Sequence, residues 1–310
     1  MADDPVYVAP RVFLDNITTV IGDSAILHRL SLEIPAGQIT VLMGPSGGGK
    51  TTLIKHVVGL LEPTRGSVLV NGQNLYASTQ KEWDGFFKGL ATMLGGHTLY
   101  SGWTFASMTV LQNLMYSLEV LGVPKELREY RALTCLDDLD LIVEQNLLPD
   151  ELAAHGQKRL ALARALVLDA PFTVLDEIDV GMDRTHHMSV LKAVRAVHER
   201  VGATMFISTH DLDVACMLAD NLAILVHGRI VAFGPPAEVL QGIESTEDFD
   251  RRFEFSDYQG PPQLEQALKY ATKPKTSSLE ADWNKRQVFW FSIAAVLSIA
   301  VLILVAKLSY

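Results

Sequence analysis

Residues 44–51 combine the residue types best suited to chemistry, and they read Gly-Pro-Ser-Gly-Gly-Gly-Lys-Thr. This run matches the pattern GxxxxGK[ST], with an apolar stretch before it and an amphipathic stretch after it. In such a loop the backbone N–H groups face inward and cradle phosphate oxygens at the start of a helix. Lys50 would neutralise the β- and γ-phosphates, and Thr51 would give its hydroxyl to Mg²⁺. The predicted phosphate-binding residues are Gly44, Pro45, Ser46, Gly47, Gly48, Gly49, Lys50, Thr51 and Thr52.

A pair of carboxylates, Asp176 and Glu177, ends a second apolar stretch at residues 172–175. An apolar strand that ends in two acids fits the Walker B pattern. Asp176 is predicted to contribute to nucleotide binding by holding Mg²⁺ together with Thr51, since Mg²⁺ prefers oxygen ligands. Glu177 is predicted to polarise the attacking water. Many strands end in acidic residues, so the pair by itself is a weak signal. It indicates a Walker B motif because a phosphate-binding loop lies upstream.

A histidine follows a third apolar stretch, where the chain reads Ser208-Thr209-His210-Asp211. A side chain at that position can contact a γ-phosphate and report its presence. Lone histidines are more often structural or on the surface. The place of His210 after the other two motifs favours a catalytic, phosphate-sensing role.

These residues must be positioned by strands that alternate with helices. Leucines and charges at helical spacing predict helices within residues 105–150. The alternation predicts an α/β fold with the nucleotide at the carboxyl ends of the strands. The predicted strands are residues 11–16, 39–43, 67–70, 172–175, 204–208, 222–226 and 229–233.

Composition excludes several protein classes. The 310 residues include 26 basic and 36 acidic ones, a net charge of −10, which argues against nucleic-acid binding on a basic surface. Two cysteines exclude a disulfide-rich secreted scaffold and suit a reducing compartment. The mean hydropathy of +0.19 is high for a soluble protein, and its source is the C-terminus.

Nineteen consecutive residues, 288–306, carry no charge. At ~1.5 Å per helical residue they cover about the 30 Å of a bilayer core. Lys285 and Arg286 precede the run, so the positive-inside rule predicts a single transmembrane tail anchor at 285–310, with everything upstream in the cytoplasm. The alternative is a buried core helix or a partner-binding hydrophobic tail.

The three motifs together resemble an ABC-type ATPase over about residues 11–240. Residues 180–183 resemble the D-loop, which includes Asp183, and residues 152–166 resemble the signature helix. The resemblance implies a P-loop NTPase fold with a RecA-like core, an antiparallel β subdomain and a helical subdomain at about 97–160. It also implies ATP and Mg²⁺ as cofactors, transmembrane permease subunits as partners, and a head-to-tail dimer in which each ATP lies between one P-loop and the other chain's signature. Residues 1–10 are predicted to be a flexible N-terminus and residues 241–284 a linker.

Shorter segments are similar to the Mla- and Mce-type phospholipid transport ATPases of bacteria. Residues 101–105 and 108–113 resemble an SGALF…V…N segment, residues 180–183 a VGQD segment, and residues 249–253 an RQF-type ending. This similarity implies the cytoplasmic face of the inner membrane, a phospholipid or other hydrophobic substrate, and an Mce-type substrate-binding partner. The alternative is a membrane-anchored ATPase that regulates a cell-division or cell-wall complex mechanically.

The chain departs from the family at the signature and the Q-loop. Without gaps the signature LSGGQ falls on Leu152, Ala153, Ala154, His155 and Gly156. A one-residue slip recovers a partial GGQ but breaks the helix register. The Q-loop glutamine is replaced by Gly95 or Tyr100, the proline after the catalytic glutamate by Ile178, and the adenine-stacking residue by Ile21.

These departures are asymmetric, because the residues that act on the chain's own nucleotide are intact while those offered to a partner's nucleotide are degenerate. The asymmetry favours a heterodimer with a second ATPase subunit that carries an intact signature. The alternative is a homodimer in which His155 replaces the lost contacts.

Overall fold

The computed structural model describes residues 8–95, 104–179, 184–243 and 246–253. The strands are β1 (Val12–Ile21), β2 (Ser24–Ile34), β3 (Ile39–Met43), β4 (Arg65–Val70), β5 (Gln73–Asn74), β6 (Leu90–Met93), β7 (Phe172–Leu175), β8 (Thr204–Ser208), β9 (Asn221–Val226) and β10 (Arg229–Gly234). The helices are α1 (Lys50–Val57), α2 (Gln80–Lys88), α3 (Val110–Val120), α4 (Lys125–Asp138), α5 (Ala154–Leu166), α6 (Arg184–Val201), α7 (Leu212–Leu218), α8 (Pro236–Val239) and α9 (Thr246–Phe253). Short 3₁₀ turns occur at Leu75–Ala77 and Pro149–Glu151.

A six-stranded sheet carries the chemistry, in the order β10-β9-β3-β8-β7-β6. Every strand pair is parallel except β10 with β9. All residues of β3, β7 and β8 are buried, as expected for parallel strands covered on both faces. Leu42 pairs with Ser208, and Leu175 with Ile207, so the three predicted motifs end at one edge of the sheet.

A second sheet is antiparallel, in the order β2-β1-β4-β5, and agrees with the predicted antiparallel part. Strand β1 runs to Ile21 rather than stopping at residue 16, because irregularities between Leu14 and Thr19 absorb the left-handed Asn16 (φ 47°) without ending the strand. Ile21, at the predicted adenine position, is 50% exposed.

Helices α3, α4 and α5 form the helical part; α3 and α4 lie inside the predicted 97–160 range, whereas α5 runs on to Leu166. Helix α3 begins with a capping box in which Thr109 and Gln112 bond each other's backbone N–H. The buried Asn113 amide holds the preceding segment by accepting from Phe105 N and donating to the Phe105 and Met108 carbonyls. Residues 108–113 therefore fix the start of the helical part.

The hydrophobic core includes residues of α9, the last described helix. Phe249 and Phe253, one turn apart on α9, pack into the main hydrophobic core. At the other end, the Pro10 carbonyl accepts a 2.8 Å hydrogen bond from Thr204 Oγ1. No helix in the described ranges is long and apolar enough to cross a membrane, and the predicted anchor at 285–310 lies outside those ranges.

Candidate active site

The loop between β3 and α1 is shaped by close approach and by left-handed glycines. A Cβ on Gly44 would lie 2.3 Å from the Leu225 carbonyl oxygen of β9, so only glycine fits there without moving the sheet. Gly47 (φ 76°) and Gly49 (φ 102°) take conformations that side chains disfavour. Gly49 is the N-cap of α1, which leaves the first N–H groups of the helix at the loop. The loop therefore has the form that the phosphate-binding pattern requires.

Lys50 lies within this loop and is buried. Its ammonium donates to the Gly44 carbonyl at 2.8 Å and the Pro45 carbonyl at 3.0 Å. Burial lowers its pKa, while the carboxylates of Glu177 and Asp176 act in the opposite direction. The ammonium thus stands between the loop and the acidic end of β7, where a phosphate would meet both.

The Asp176 carboxylate, at the end of β7, is fully buried and accepts hydrogen bonds from three other segments of the chain. Its Oδ2 accepts from Thr51 Oγ1 at 3.0 Å and from Gly95 N at 3.3 Å, and its Oδ1 accepts from Ser208 Oγ at 2.5 Å. Thr51 and Asp176, the two predicted Mg²⁺ ligands, are therefore adjacent. Mg²⁺ is usually held by one or two carboxylates together with substrate phosphates, so this donor set fits the ion. Bound there, it would neutralise developing charge on the phosphates.

Glu177 has a left-handed backbone (φ 53°), which costs a non-glycine residue about 1–3 kcal/mol and persists only where neighbours fix it. Its N–H donates to Ser208 Oγ at 2.7 Å, and its carbonyl accepts from the Lys158 ammonium at 2.6 Å. The next residue, Ile178, donates its N–H to the Ser208 carbonyl at 3.2 Å. Proline, expected at this position, has no N–H and cannot make that bond.

His210 Nε2 lies 3.9 Å from Glu177 Oε1, and both side chains are about 30% exposed or less. The His210 backbone N–H points at the Asp179 carboxylate, 3.2 Å from Oδ2. Burial, followed by the nearby Lys50 ammonium, lowers the pKa of His210, although Asp179, Glu177 and Asp176 oppose this. The lowered pKa favours the neutral imidazole, which can both donate and accept a hydrogen bond.

Comparison with known proteins identifies the family. Residues 27–179 match the ABC transporter family. The chain is 35% identical over 254 residues to the probable ribonucleotide transport ATP-binding protein mkl of Mycobacterium leprae, covering 80% of this chain and 69% of that protein. The chain belongs to the ABC transporter family. It is an ATP-binding subunit that couples hydrolysis of ATP, with Mg²⁺, to transport.

Similarity to two further ABC proteins supports the same family assignment. The Fe(3+) ions import ATP-binding protein FbpC 1 of Haemophilus influenzae is 30% identical over 226 residues, covering 73% of this chain and 66% of that protein. A dimeric ATP-binding cassette in a post-hydrolysis state, bound to ADP and phosphate, matches with a TM-score of 0.63 at 25% identity, over 73% of this chain and 98% of that one. The predicted ABC ATPase fold is confirmed.

ATPase domains of the ABC family function as dimers with membrane permease subunits at the cytoplasmic face of the membrane. The relatives named above are transport proteins, so the alternative role in a cell-division or cell-wall complex has no support from them.

The ABC signature region is well formed as a helix but lacks the usual side chains. Helix α5 begins at Ala154, and Ala153 is its N-cap with no side-chain hydrogen bond. The signature serine would stand at this N-cap, a position where serine is preferred. Ala153 and Ala154 are exposed, whereas Gly156 is buried against Leu152. The D-loop Asp183 lies outside the described residues, as does Tyr100 of the Q-loop.

Four residues lie at this ABC site although the sequence did not predict a role for their contacts there. Ser208, Lys158 and Asp179 touch or face the Walker B end, and Gly95 brings its N–H onto Asp176. A Cβ on Gly95 would lie 3.1 Å from Asp176 Oδ2 and 3.2 Å from Glu177 Oε2. The signal for Ser208 was present, because it ends the strand next to β7, one residue beyond the partner of Leu175.

Proposed function

We propose that this chain is the ATP-hydrolysing subunit of a bacterial ABC transporter, with Glu177 as the residue that polarises water and His210 as the γ-phosphate sensor. The observation that carries the proposal is the meeting of the phosphate loop, Asp176, Glu177 and His210 at one edge of the six-stranded sheet. In this arrangement Lys50 and the loop N–H groups bind the phosphates, and Thr51 with Asp176 holds Mg²⁺.

The chemistry follows from the charges around Glu177. An ionised carboxylate accepts a proton from water as the water attacks the γ-phosphate. The neutral His210, 3.9 Å away, can donate to a phosphate oxygen and accept from water without adding positive charge. The distance between Glu177 Oε1 and His210 Nε2 leaves the two side chains free to bond to water and phosphate rather than to each other.

We further propose a heterodimer. The residues that act on the chain's own ATP are complete, whereas the start of α5 presents Ala153, Ala154 and His155 to a partner's ATP. A partner with an intact signature would complete the site on this chain's P-loop. This chain would then leave the partner's P-loop site impaired. A homodimer in which His155 supplies the missing contact is the competing arrangement.

The substrate proposed is a phospholipid or another hydrophobic molecule, handed over by an Mce-type binding protein. Support comes from the segments similar to lipid-transport ATPases and from the uncharged run at 288–306. That run is proposed to anchor the chain beside the permease, so removal of residues 284–310 should weaken assembly and leave ATP binding intact.

The test uses the full chain purified in detergent, alone and with the chains that co-purify. Glu177→Gln should abolish ATP turnover and retain ATP binding. Glu199→Gln makes the same chemical change at an exposed site on α6 and should leave turnover unchanged. Turnover that survives Glu177→Gln refutes the assigned role.

Composition of the purified complex tests the remaining proposals. A normal turnover rate for the chain alone refutes the obligate heterodimer. Bound phospholipid and an Mce-type protein in the complex support lipid transport, and a complex with a polar-solute binding protein and no phospholipid contradicts it.

A further inference from the structure

Helix α5 carries a lysine in an unusual place. Lys158 is 1% exposed, yet it bears an ammonium group whose burial is normally unfavourable. Burial lowers its pKa to about 8, and Asp179, Glu177 and Asp176 act against that shift. A buried lysine close enough to three carboxylates to interact with them has a specific electrostatic setting rather than a general packing role.

Lys158 contacts the main chain of Glu177. Its Nζ donates to the Glu177 main-chain carbonyl at 2.6 Å, on the residue with the left-handed backbone. Ser208 on β8 accepts from Glu177 N through its hydroxyl and from Ile178 N through its carbonyl. The peptide group before the Glu177 side chain is thus bonded from β8, and the peptide group after it is bonded from both β8 and α5.

We infer that Lys158 is a positioning residue that sets the direction of the Glu177 carboxylate and links it mechanically to α5, the helix whose first turn holds the degenerate signature. The inference rests on the proposed role of Glu177. Lys158 acts on Glu177 through its main-chain carbonyl, which makes it a positioning residue. A displacement of α5 by the partner subunit would reach the Glu177 backbone through this charged hydrogen bond.

The neighbouring Arg159 provides a matched control. It is 2% exposed on the same helix, and its Nη1 donates to the Leu139 carbonyl at 2.9 Å and the Asp140 carbonyl at 2.7 Å. Lys158 and Arg159 are therefore alike in charge, in burial and in bonding to main-chain carbonyls. Arg159 secures the end of α4, whereas Lys158 secures Glu177, so a purely structural contribution of buried cations would appear in both.

The experiment measures kcat and KM for ATP and nucleotide affinity on the full chain with its co-purifying subunits. Lys158→Met should lower kcat about tenfold or more with ATP affinity within about threefold, since the phosphate loop is untouched; tenfold corresponds to ~1.4 kcal/mol of transition-state stabilisation. Arg159→Met should keep kcat within about twofold.

An unchanged kcat in Lys158→Met, or an equal loss in Arg159→Met, overturns the inference. If the Met variants do not fold, Lys158→Arg and Arg159→Lys make the same comparison with a donor retained. A loss of kcat confined to Lys158→Arg supports the inference, and equal rates overturn it. Turnover that survives Glu177→Gln contradicts the proposed function instead, whatever the Lys158 variants do.

Discussion

Ser208→Ala removes one hydroxyl that holds both Walker B carboxylate residues. Ser208 Oγ donates to Asp176 Oδ1 at 2.5 Å and accepts from Glu177 N at 2.7 Å. A hydrogen bond to a charged group contributes about 1.5–3 kcal/mol and a neutral one about 0.5–1.5 kcal/mol. Because alanine fits the space without strain, we expect the free energy of unfolding to fall by about 2–4.5 kcal/mol, the sum of those two ranges.

The same change should also slow hydrolysis. The Glu177 N–H loses its acceptor, so its left-handed backbone is held less firmly and the carboxylate samples other directions. We expect kcat to fall about tenfold or more while ATP affinity changes by less than about threefold, because Lys50 and the loop are not altered. The assays are urea unfolding and steady-state ATP turnover.

Thr204→Val is the matched control at the other end of the same strand. Thr204 is fully buried, and its hydroxyl also makes two bonds, accepting from Gly37 N at 2.9 Å and donating to the Pro10 carbonyl at 2.8 Å. Valine has nearly the same shape, so stability should fall by about 1–3 kcal/mol while kcat stays at the wild-type value. Wild-type kcat in Ser208→Ala, or an equal loss of kcat in both variants, would refute the reasoning.

Two further predictions concern the phosphate loop and the helix behind it. Gly44→Ala should destabilise the protein by about 1–3 kcal/mol and weaken ATP binding, because its Cβ would meet the Leu225 carbonyl; Gly85→Ala, with open space on α2, should stabilise by about 0.5–1 kcal/mol in the same urea assay. His56 on α1 is buried between Thr19 Oγ1 and the Leu61 carbonyl, and burial lowers its pKa to about 4. The unfolded state binds the extra proton, so stability present above pH 6.5 should be lost as pH falls towards 4, by about 1.4 kcal/mol at pH 5.5. His56→Gln should flatten this pH dependence, and an unchanged slope contradicts it.

Most strands of the catalytic sheet could be predicted from the sequence. The apolar runs at 39–43, 172–175 and 204–208 coincide with β3, β7 and β8. Buried parallel strands are recognisable because every position is apolar or small. β2 and α2 have no counterpart among the predicted elements. In β2 the left-handed Arg29 (φ 46°) interrupts the alternation, and for α2 the Thr79–Glu82 capping box was a readable signal.

The sequence by itself determined the phosphate-binding loop, because its glycines, lysine and threonine act as one contiguous segment at the start of a helix. Tertiary structure decided the rest of the site. Thr51 meets Asp176 across 125 residues, Ser208 meets it across 32, and Lys158 reaches Glu177 across 19. These contacts follow from the order of parallel strands in the sheet and from the packing of α5 on the sheet. Sequence spacing alone does not reveal the strand order or the packing, since strands that are remote in the chain end side by side at one edge.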